Sequence, residues 1–296
     1  MTNLLDELKK ILPEENILVN EPMKNHTTFK VGGPADYLVM PETKEQIVEC
    51  LKLDVPKFIL GNGSNLIVKD GGIRGLVIKT SKLDNLELIE EDIIEAGAGC
   101  YLSVISNLAK KNSLTGFEFA SGIPGTFGGA VMMNAGAYGG EMKDVVIETT
   151  YIDEDLEVKT TTEHEFSYRK SMFTNSNRVI LSSKIKLAKG NYEEIDARIK
   201  ELSEARRTKQ PLSFPSAGST FKRPEGYFAG KLIEDSDLKG FSIGGAQVSE
   251  LHAGFVINKG GATAKDILDL IRHIQNEVKN RFGVDLETEV KIVGED

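Results

Sequence analysis

The sequence predicts a chain of mixed helices and strands folded as two or three domains, on three observations. At 296 residues it is long enough for several hydrophobic cores. Its first third runs strand, helix, strand and glycine loop, the order of an α/β ligand-binding unit. Its last third carries short strands and a strongly patterned helix of its own, which reads as a separate small α/β domain.

Bulk properties narrow the class. With 40% hydrophobic and 27% charged residues the composition is that of an ordinary globular protein, which excludes a disordered or fibrous chain. The 36 basic against 45 acidic residues leave a net charge of -9, which argues against general nucleic-acid binding but not against a local basic pocket. The first sixteen residues predict a short amphipathic helix and lack the apolar core of a signal peptide. Apolar runs are too short to span a bilayer. Cys50 and Cys100 lie far apart without a CxxC partner and are expected as reduced core thiols of a cytoplasmic protein. The four histidines, His26, His164, His252 and His273, show no ligand spacing, so no metal site is suggested.

In chain order, Val31–Met40 reads as a glycine turn leading into a strand. A helix over 43–53 follows, with Thr43 and Gln46 as its capping box and Ile47 and Leu51 on one face. Phe58–Leu60 is a short strand that enters Gly61-Asn62-Gly63-Ser64-Asn65-Leu66. Such a run exposes successive backbone N–H groups that can hold phosphate oxygens; a tight hairpin turn is the plain alternative. It is not a dinucleotide fingerprint, because the third glycine and the following helix are missing. Strands are predicted at Leu76–Lys79 and as a pair over 86–96. Leu102–Lys111 is a helix with Leu102, Ile105, Leu108 and Ala109 inward.

Between Gly122 and Gly140 the chain is nearly uncharged and rich in Gly and Ala. Such backbone can lie flat against a planar ligand, or let helices pack closely. Pro124 and the paired glycines favour the ligand, since they interrupt a purely structural helix. A β-meander is expected over 145–161 and a strand over 178–189. Between them Tyr168-Arg169 offers a guanidinium able to clamp a carboxylate or phosphate, though most isolated arginines are solvated. Asn191 caps a helix to about Lys209 with Ile195, Ile199 and Leu202 inward. Its basic end empties into Pro215–Pro224, where Gly218 and small residues surround one hydroxyl, Ser219. Arg206, Arg207, Lys209, Lys222, Arg223 and Lys231 thus gather around that loop, a local reversal of sign suited to an anionic substrate. Further on, Ala229–Ile233 starts a helix and Gly254–Asn258 is a strand. Thr263 and Asp266 box a long helix whose stripe is Ile267, Leu270, Ile271, Ile274 and Val278, ended by Gly283. A final strand over 284–293 would put Glu287 and Glu289 on one face, either solvated or, inside a pocket, as an acid/base group.

The order and spacing of these motifs resemble the bacterial UDP-N-acetylenolpyruvoylglucosamine reductases, also called UDP-N-acetylmuramate dehydrogenases. The resemblance runs through Thr27-Thr-Phe, Gly32-Gly33-Pro34-Ala35 and the Gly61–Asn65 loop. It continues through Gly122-Ile123-Pro124-Gly125-Thr126, Gly128-Gly129-Ala130 and Asn134-Ala135-Gly136-Ala-Tyr. Tyr168-Arg169, the Ser219 loop, Lys239-Gly with Gly244-Gly-Ala, and Leu286-Glu-Thr-Glu-Val complete it. It implies an α+β chain: a two-lobed FAD-binding region of the vanillyl-alcohol-oxidase (PCMH) type plus a smaller α/β substrate-binding domain. The lobes are expected at 1–78 and 79–207 and the substrate domain at 208–288, with the last strand, about 289–296, returning to the first lobe. No room exists between Pro224 and Gly260 for the insertion that supplies a tyrosine over the substrate in the more elaborate type, so this is the shorter type. Arg223 stands where the longer type has an asparagine.

The resemblance also implies chemistry. NADPH reduces non-covalently bound FAD and leaves. UDP-N-acetylglucosamine enolpyruvate takes its place, and the flavin N5 delivers hydride to the terminal enolpyruvyl carbon to yield UDP-N-acetylmuramate for peptidoglycan. Arg169 would clamp the carboxylate, and Glu289, protonated when it acts, would share the enolate charge. Ser219 would protonate the adjacent carbon. The Gly61–Leu66, Gly122–Thr126, Gly128–Ala130 and Asn134–Gly136 segments would hold FAD, while Tyr168, Lys209, Arg223 and His252 would touch substrate. A monomer is expected, without nucleic-acid or membrane partners. Two other readings are an oxygen-using flavoprotein of the same superfamily, for which His26 is a remote candidate for covalent flavin attachment, and a flavin-free binder of UDP-sugars.

Overall fold

The computed structural model describes residues 4–296. Residues 1–3 of the predicted N-terminal helix lie outside the described residues. The helices are α1 (Leu4–Ile11), α2 (Lys44–Lys52), α3 (Leu102–Lys111), α4 (Phe127–Met132), α5 (Tyr192–Lys209), α6 (Ala229–Asp235) and α7 (Ala264–Phe282). The chain forms two compact units, each assembled from separate stretches of sequence. The first takes residues up to Leu18, Leu38–Asn62 and Val77–Arg206; the second takes Val19–Tyr37, Gly63–Leu76 and Arg207–Asp296. Three of these boundaries fall inside strands, Ile17–Pro22, Pro34–Val39 and Ile73–Lys79.

The first unit is built on a five-stranded antiparallel sheet. Its spatial order is Val158–Thr161, Val146–Ile152, Val179–Lys186, Ile93–Gly97 and Leu86–Leu88. Alternation along these strands sends Ile94, Ala96, Tyr151 and Ile185 into a core shared with Ile105 and Ala109 of α3 and Phe127 and Val131 of α4. The predicted bounds of α3 are met, with Leu108 half-buried at the edge of its stripe. At α2 the Thr43 hydroxyl accepts the Gln46 N–H at 3.3 Å. The Gln46 side chain takes the N–H of Glu42 rather than that of Thr43, so the predicted box closes one residue early. Cys50 on α2 and Cys100 before α3 are buried free thiols. Burial pushes the Cys50 thiol up to about 12 and that of Cys100 up to about 11.

In the second unit α7 follows its predicted pattern: Ile267, Leu270, Ile271, Ile274 and Val278 are buried, Thr263 and Asp266 form the box, and Gly283 ends the helix at φ 71°. It packs with α6 and a three-stranded antiparallel sheet, Ser242–Ile243, Ala246–Val248 and Val256–Asn258. The N-terminus of α7 has a second cap that local sequence does not show. The Asp70 carboxylate accepts the N–H groups of Ala264 and Lys265, both at 2.9 Å. A carboxylate on two orphan donors also complements the helix dipole.

The predicted strand over 284–293 is corrected. Only Lys291–Val293 is strand, paired in parallel with Leu66–Val68. Residues 287–289 bond elsewhere, to the segment 220–222. The chain changes hydrogen-bonding partner at Val290, so no single ladder runs through the segment.

Asp70→Ala should destabilise the second unit by about 1–2 kcal/mol, seen as a lower urea midpoint for loss of helical circular dichroism. An unchanged midpoint would mean the Thr263–Asp266 box suffices. The two thiols should resist iodoacetamide at pH 8 in the native protein and react once it is unfolded. Their raised folded pKa values mean that, above the ordinary thiol pKa, the unfolded chain binds fewer protons than the folded one. Stability should therefore fall as pH rises from about 9 toward 11.

Candidate active site

In the first unit the glycine-rich segment is held at close range. Gly128 and Gly129 lie inside α4 and do not break it, contrary to the sequence expectation. A Cβ at Gly128 would stand 2.7 Å from that of Ala98, so this glycine lets α4 sit directly on the exit of the Ile93–Gly97 strand. The Phe127 and Gly128 N–H groups reach the carbonyls of Cys100 and Ala98 there, at 2.8 and 2.9 Å. Close packing therefore accounts for Gly128.

Space accounts for Gly61, where a Cβ would fall 2.6 Å from the Thr126 hydroxyl oxygen. Asn62 ties the two loops, donating to the Pro124 carbonyl at 2.8 Å and accepting from the Tyr101 hydroxyl at 3.4 Å. The Thr126 hydroxyl itself is buried and, among the described residues, has no hydrogen-bond partner. Such a group costs free energy until a ligand satisfies it.

Arg169 sits on a tight turn. Ser167 and Lys170 exchange both backbone hydrogen bonds, 3.0 and 3.1 Å, leaving Tyr168 and Arg169 as the two loop residues. Arg169 has φ 58°, a conformation unusual for a side-chain-bearing residue, and its guanidinium lies 5.2 Å from the Tyr168 ring centre. The turn is anchored to the segment that follows α4. The fully buried Asn134 donates to Ser167 O at 3.1 Å and to Glu141 at 2.6 Å, and its carbonyl accepts the Lys143 N–H. Ser171 and Thr174 both donate to the Met132 carbonyl, at 2.7 and 2.8 Å. The Asn134 amide thus works as a brace for the Arg169 turn.

In the second unit the structure pairs the segment after Ser219 with the segment that carries Glu289. The Glu289 N–H donates to Thr220 O and the Lys222 N–H to Glu287 O, both at 2.9 Å, around an antiparallel bridge between Phe221 and Thr288. Thr220 is fully buried; its N–H donates to Gly254 O at 2.9 Å and its hydroxyl accepts the Val256 N–H at 3.1 Å. Ser219, next to this anchor, is exposed. Gly218 has φ 77° with open space where a side chain would go, so backbone conformation rather than room requires glycine there. Asn65 ends the glycine loop by donating to Glu289 O at 3.1 Å. Gly63, at φ 64°, has no room for a Cβ, which would fall 2.1 Å from His26 O. His252 reaches the same neighbourhood through the 252–256 loop. Its Nδ1 accepts the Gly254 N–H at 3.1 Å, which places the proton of the neutral ring on Nε2, and burial lowers its pKa.

The basic gathering around Ser219 is smaller than the sequence suggests. Arg206 donates to Gly122 O and packs over that glycine; Lys222 pairs with Glu287 and Lys231 with Asp235. Arg223 stacks on Phe228 at 4.0 Å and donates to Tyr227 O at 3.3 Å. Chain proximity could not show that carboxylates answer Lys222 and Lys231. The buried anchors Thr220 and Asn134 and the Asn62–Tyr101 tie were also not legible as such: each is one polar residue whose partner is remote in sequence or on backbone.

Comparison with known proteins bears on what such a site does. A family model described as an FAD binding domain matches residues 35–162, and one described as the C-terminal domain of UDP-N-acetylenolpyruvoylglucosamine reductase matches residues 210–293. A Caldanaerobacter subterraneus protein named UDP-N-acetylenolpyruvoylglucosamine reductase is 54% identical over 99% of this chain and 98% of its own length. One of the same name from Clostridium perfringens is 56% identical over 96% and 95%. The chain belongs to the UDP-N-acetylenolpyruvoylglucosamine reductase family. A solved reductase of this family, from Thermus caldophilus, superposes with a TM-score of 0.81 at 35% identity, covering 93% of this chain and 97% of that one. As a family member the chain is an α+β oxidoreductase of the shorter type, with an FAD-binding region and the reductase's C-terminal domain.

The residues present fit FAD. Within the matched segment, the partnerless Thr126 hydroxyl faces Gly61 and lies 3.7 Å from where a Cβ of Gly129 would be. A buried neutral donor between two side-chain-free positions suits a ligand that approaches the backbone. Thr126→Val keeps the shape and removes the hydroxyl. It should weaken FAD binding about 3- to 10-fold, measured by flavin fluorescence, while the cofactor-free protein melts no earlier than wild type. Unchanged affinity would mean the hydroxyl does not meet the cofactor.

Proposed function

We propose that this chain reduces UDP-N-acetylglucosamine enolpyruvate to UDP-N-acetylmuramate, a peptidoglycan precursor, with NADPH as reductant. The observation that supports the reading is the backbone pairing of 220–222 with 287–289, which holds the loop that carries Ser219 against the segment that carries Glu289. Relatives above 50% identity bear the name of this reaction. FAD, bound without a covalent link, would supply the hydride that NADPH provides.

The chain's own residues do the rest. Arg169 binds the substrate carboxylate; its turn is braced from two sides, so the guanidinium is positioned before substrate arrives. Hydride addition at the terminal enolpyruvyl carbon pushes negative charge into the carboxylate as an enolate. Arg169 and protonated Glu289 stabilise that charge as it forms. Ser219 gives its proton to the adjacent carbon, which is basic enough in the enolate to take a proton from an alcohol. Lys209, Tyr168, Arg223 and His252 contact the substrate, His252 with Nε2–H as its donor. Two FAD lobes, 1–78 and 79–207, and a substrate domain, 208–288, divide the work, with the last strand completing the first lobe. The protein acts as a cytoplasmic monomer.

Ser219→Ala should keep FAD and its bleaching by NADPH under anaerobic conditions, yet lose recolouring by the enolpyruvyl UDP-sugar by at least about 100-fold. Glu289→Gln should slow the second half-reaction much more than the first. Equal loss of both halves in either variant would remove the proposed role, and recolouring by oxygen alone, indifferent to the sugar, would make the protein an oxidase.

A further inference from the structure

Lys291 opens the short strand Lys291–Val293, opposite Leu66 in the parallel pair. Its N–H donates to Asn65 O at 3.0 Å, and the Asn65 side chain in turn holds Glu289 O. The lysine therefore stands at the end of the Gly61–Leu66 loop, two residues beyond Glu289. Its side chain is half-buried, and among the described residues no carboxylate pairs with it. Burial alone acts on its ammonium and lowers its pKa. Lys110, Lys184 and Lys231 show the opposite: each is raised, first by a hydrogen bond to its carboxylate, Asp196, Glu148 and Asp235 respectively. Other lysines with no carboxylate partner among the described residues, such as Lys24, Lys111 and Lys259, are exposed, whereas Lys291 is not. A desolvated cation is unfavourable until an anion accompanies it. The nearest backbone partners of Lys291 belong to a loop whose Gly, Asn and Ser residues suit phosphate oxygens.

We propose that Lys291 is a cofactor-binding residue whose ammonium neutralises the diphosphate of FAD. The inference rests on the reading of the Gly61–Leu66 loop as the FAD phosphate cradle. It places a cofactor contact in the C-terminal match, 210–293, outside the segment that matches the FAD-binding model, 35–162. A diphosphate is the ligand chemistry favoured because its charge is permanent and therefore offsets the desolvation whenever the cofactor is bound. The diphosphate of the UDP-sugar has the same chemistry, and the backbone ties to Asn65 and Leu66 favour the cofactor's.

The test compares Lys291→Met and Lys291→Arg with wild type. FAD release is followed as recovery of free-flavin fluorescence on dilution of the holoprotein, across a salt series. The flavin midpoint potential and KM for the UDP-sugar are measured alongside. The expected result is a Kd for FAD raised about 10- to 100-fold in Lys291→Met, with a shallower salt dependence, an unchanged potential, and most of the affinity restored by arginine. An unchanged Kd overturns the proposal. With a raised KM, the charge serves the UDP-sugar; with a shifted potential, it faces the flavin ring; with only a changed melting temperature, its role is structural. Lys291→Gln replaces the methionine variant if that chain does not fold. Wild-type protein that neither carries nor takes up FAD would instead remove the cofactor reading itself.

Discussion

Two backbone hydrogen bonds, Glu289 N–H to the Thr220 carbonyl and Lys222 N–H to the Glu287 carbonyl, hold the C-terminal segment against the Ser219 loop. Much of the second unit is arranged to preserve them. Thr220 is tied on its other side to Gly254 and Val256, and Asn65 fastens the Glu289 carbonyl to the end of the glycine loop. The segment then leaves one partner and joins another within a few residues, pairing Lys291–Val293 with Leu66–Val68. The backbone next to Ser219 and at Glu289 is thus fixed by main-chain bonds, which confine it better than a free surface loop would.

The same division between anchor and working group recurs in the first unit. Asn134, Ser171 and Thr174 each donate to a backbone carbonyl, and the residue they steady is Arg169. An arginine at φ 58° is held there by the Ser167–Lys170 turn, not by its own preference. Satisfied polar braces around one committed cation are what electrostatic catalysis requires, because the donors need not reorganise when charge develops.

Electrostatics in this acidic chain are mostly local bookkeeping between neighbours. Cations that look gathered along the sequence, such as Lys222 and Lys231, have carboxylates beside them in space. The half-buried Lys291, which has no such carboxylate among the described residues, is informative against that background.

Helices and their limits were largely legible from local pattern. The α3 stripe, the Thr263–Asp266 box and the Gly283 stop are written in residues within a turn of one another, where the physics is short-ranged. The candidate site was legible as motifs: Ser219, Glu289, Arg169 and the glycine loops could each be singled out, and their order identified the family. Their relations were not. The 284–293 segment reads as one strand because its residues suit one, and only its two different partners show that it is not. Gly128 and Gly129 read as breaks because glycine is a poor helix former, and only Ala98 beneath α4 explains them. Asp70 capping a helix that starts at Ala264 lies beyond any local window. Local sequence by itself determined element type, composition and the chemical groups on offer. The tertiary structure decided which of those groups meet, because hydrogen-bond partners and charge pairs depend on distance in space and not on separation along the chain.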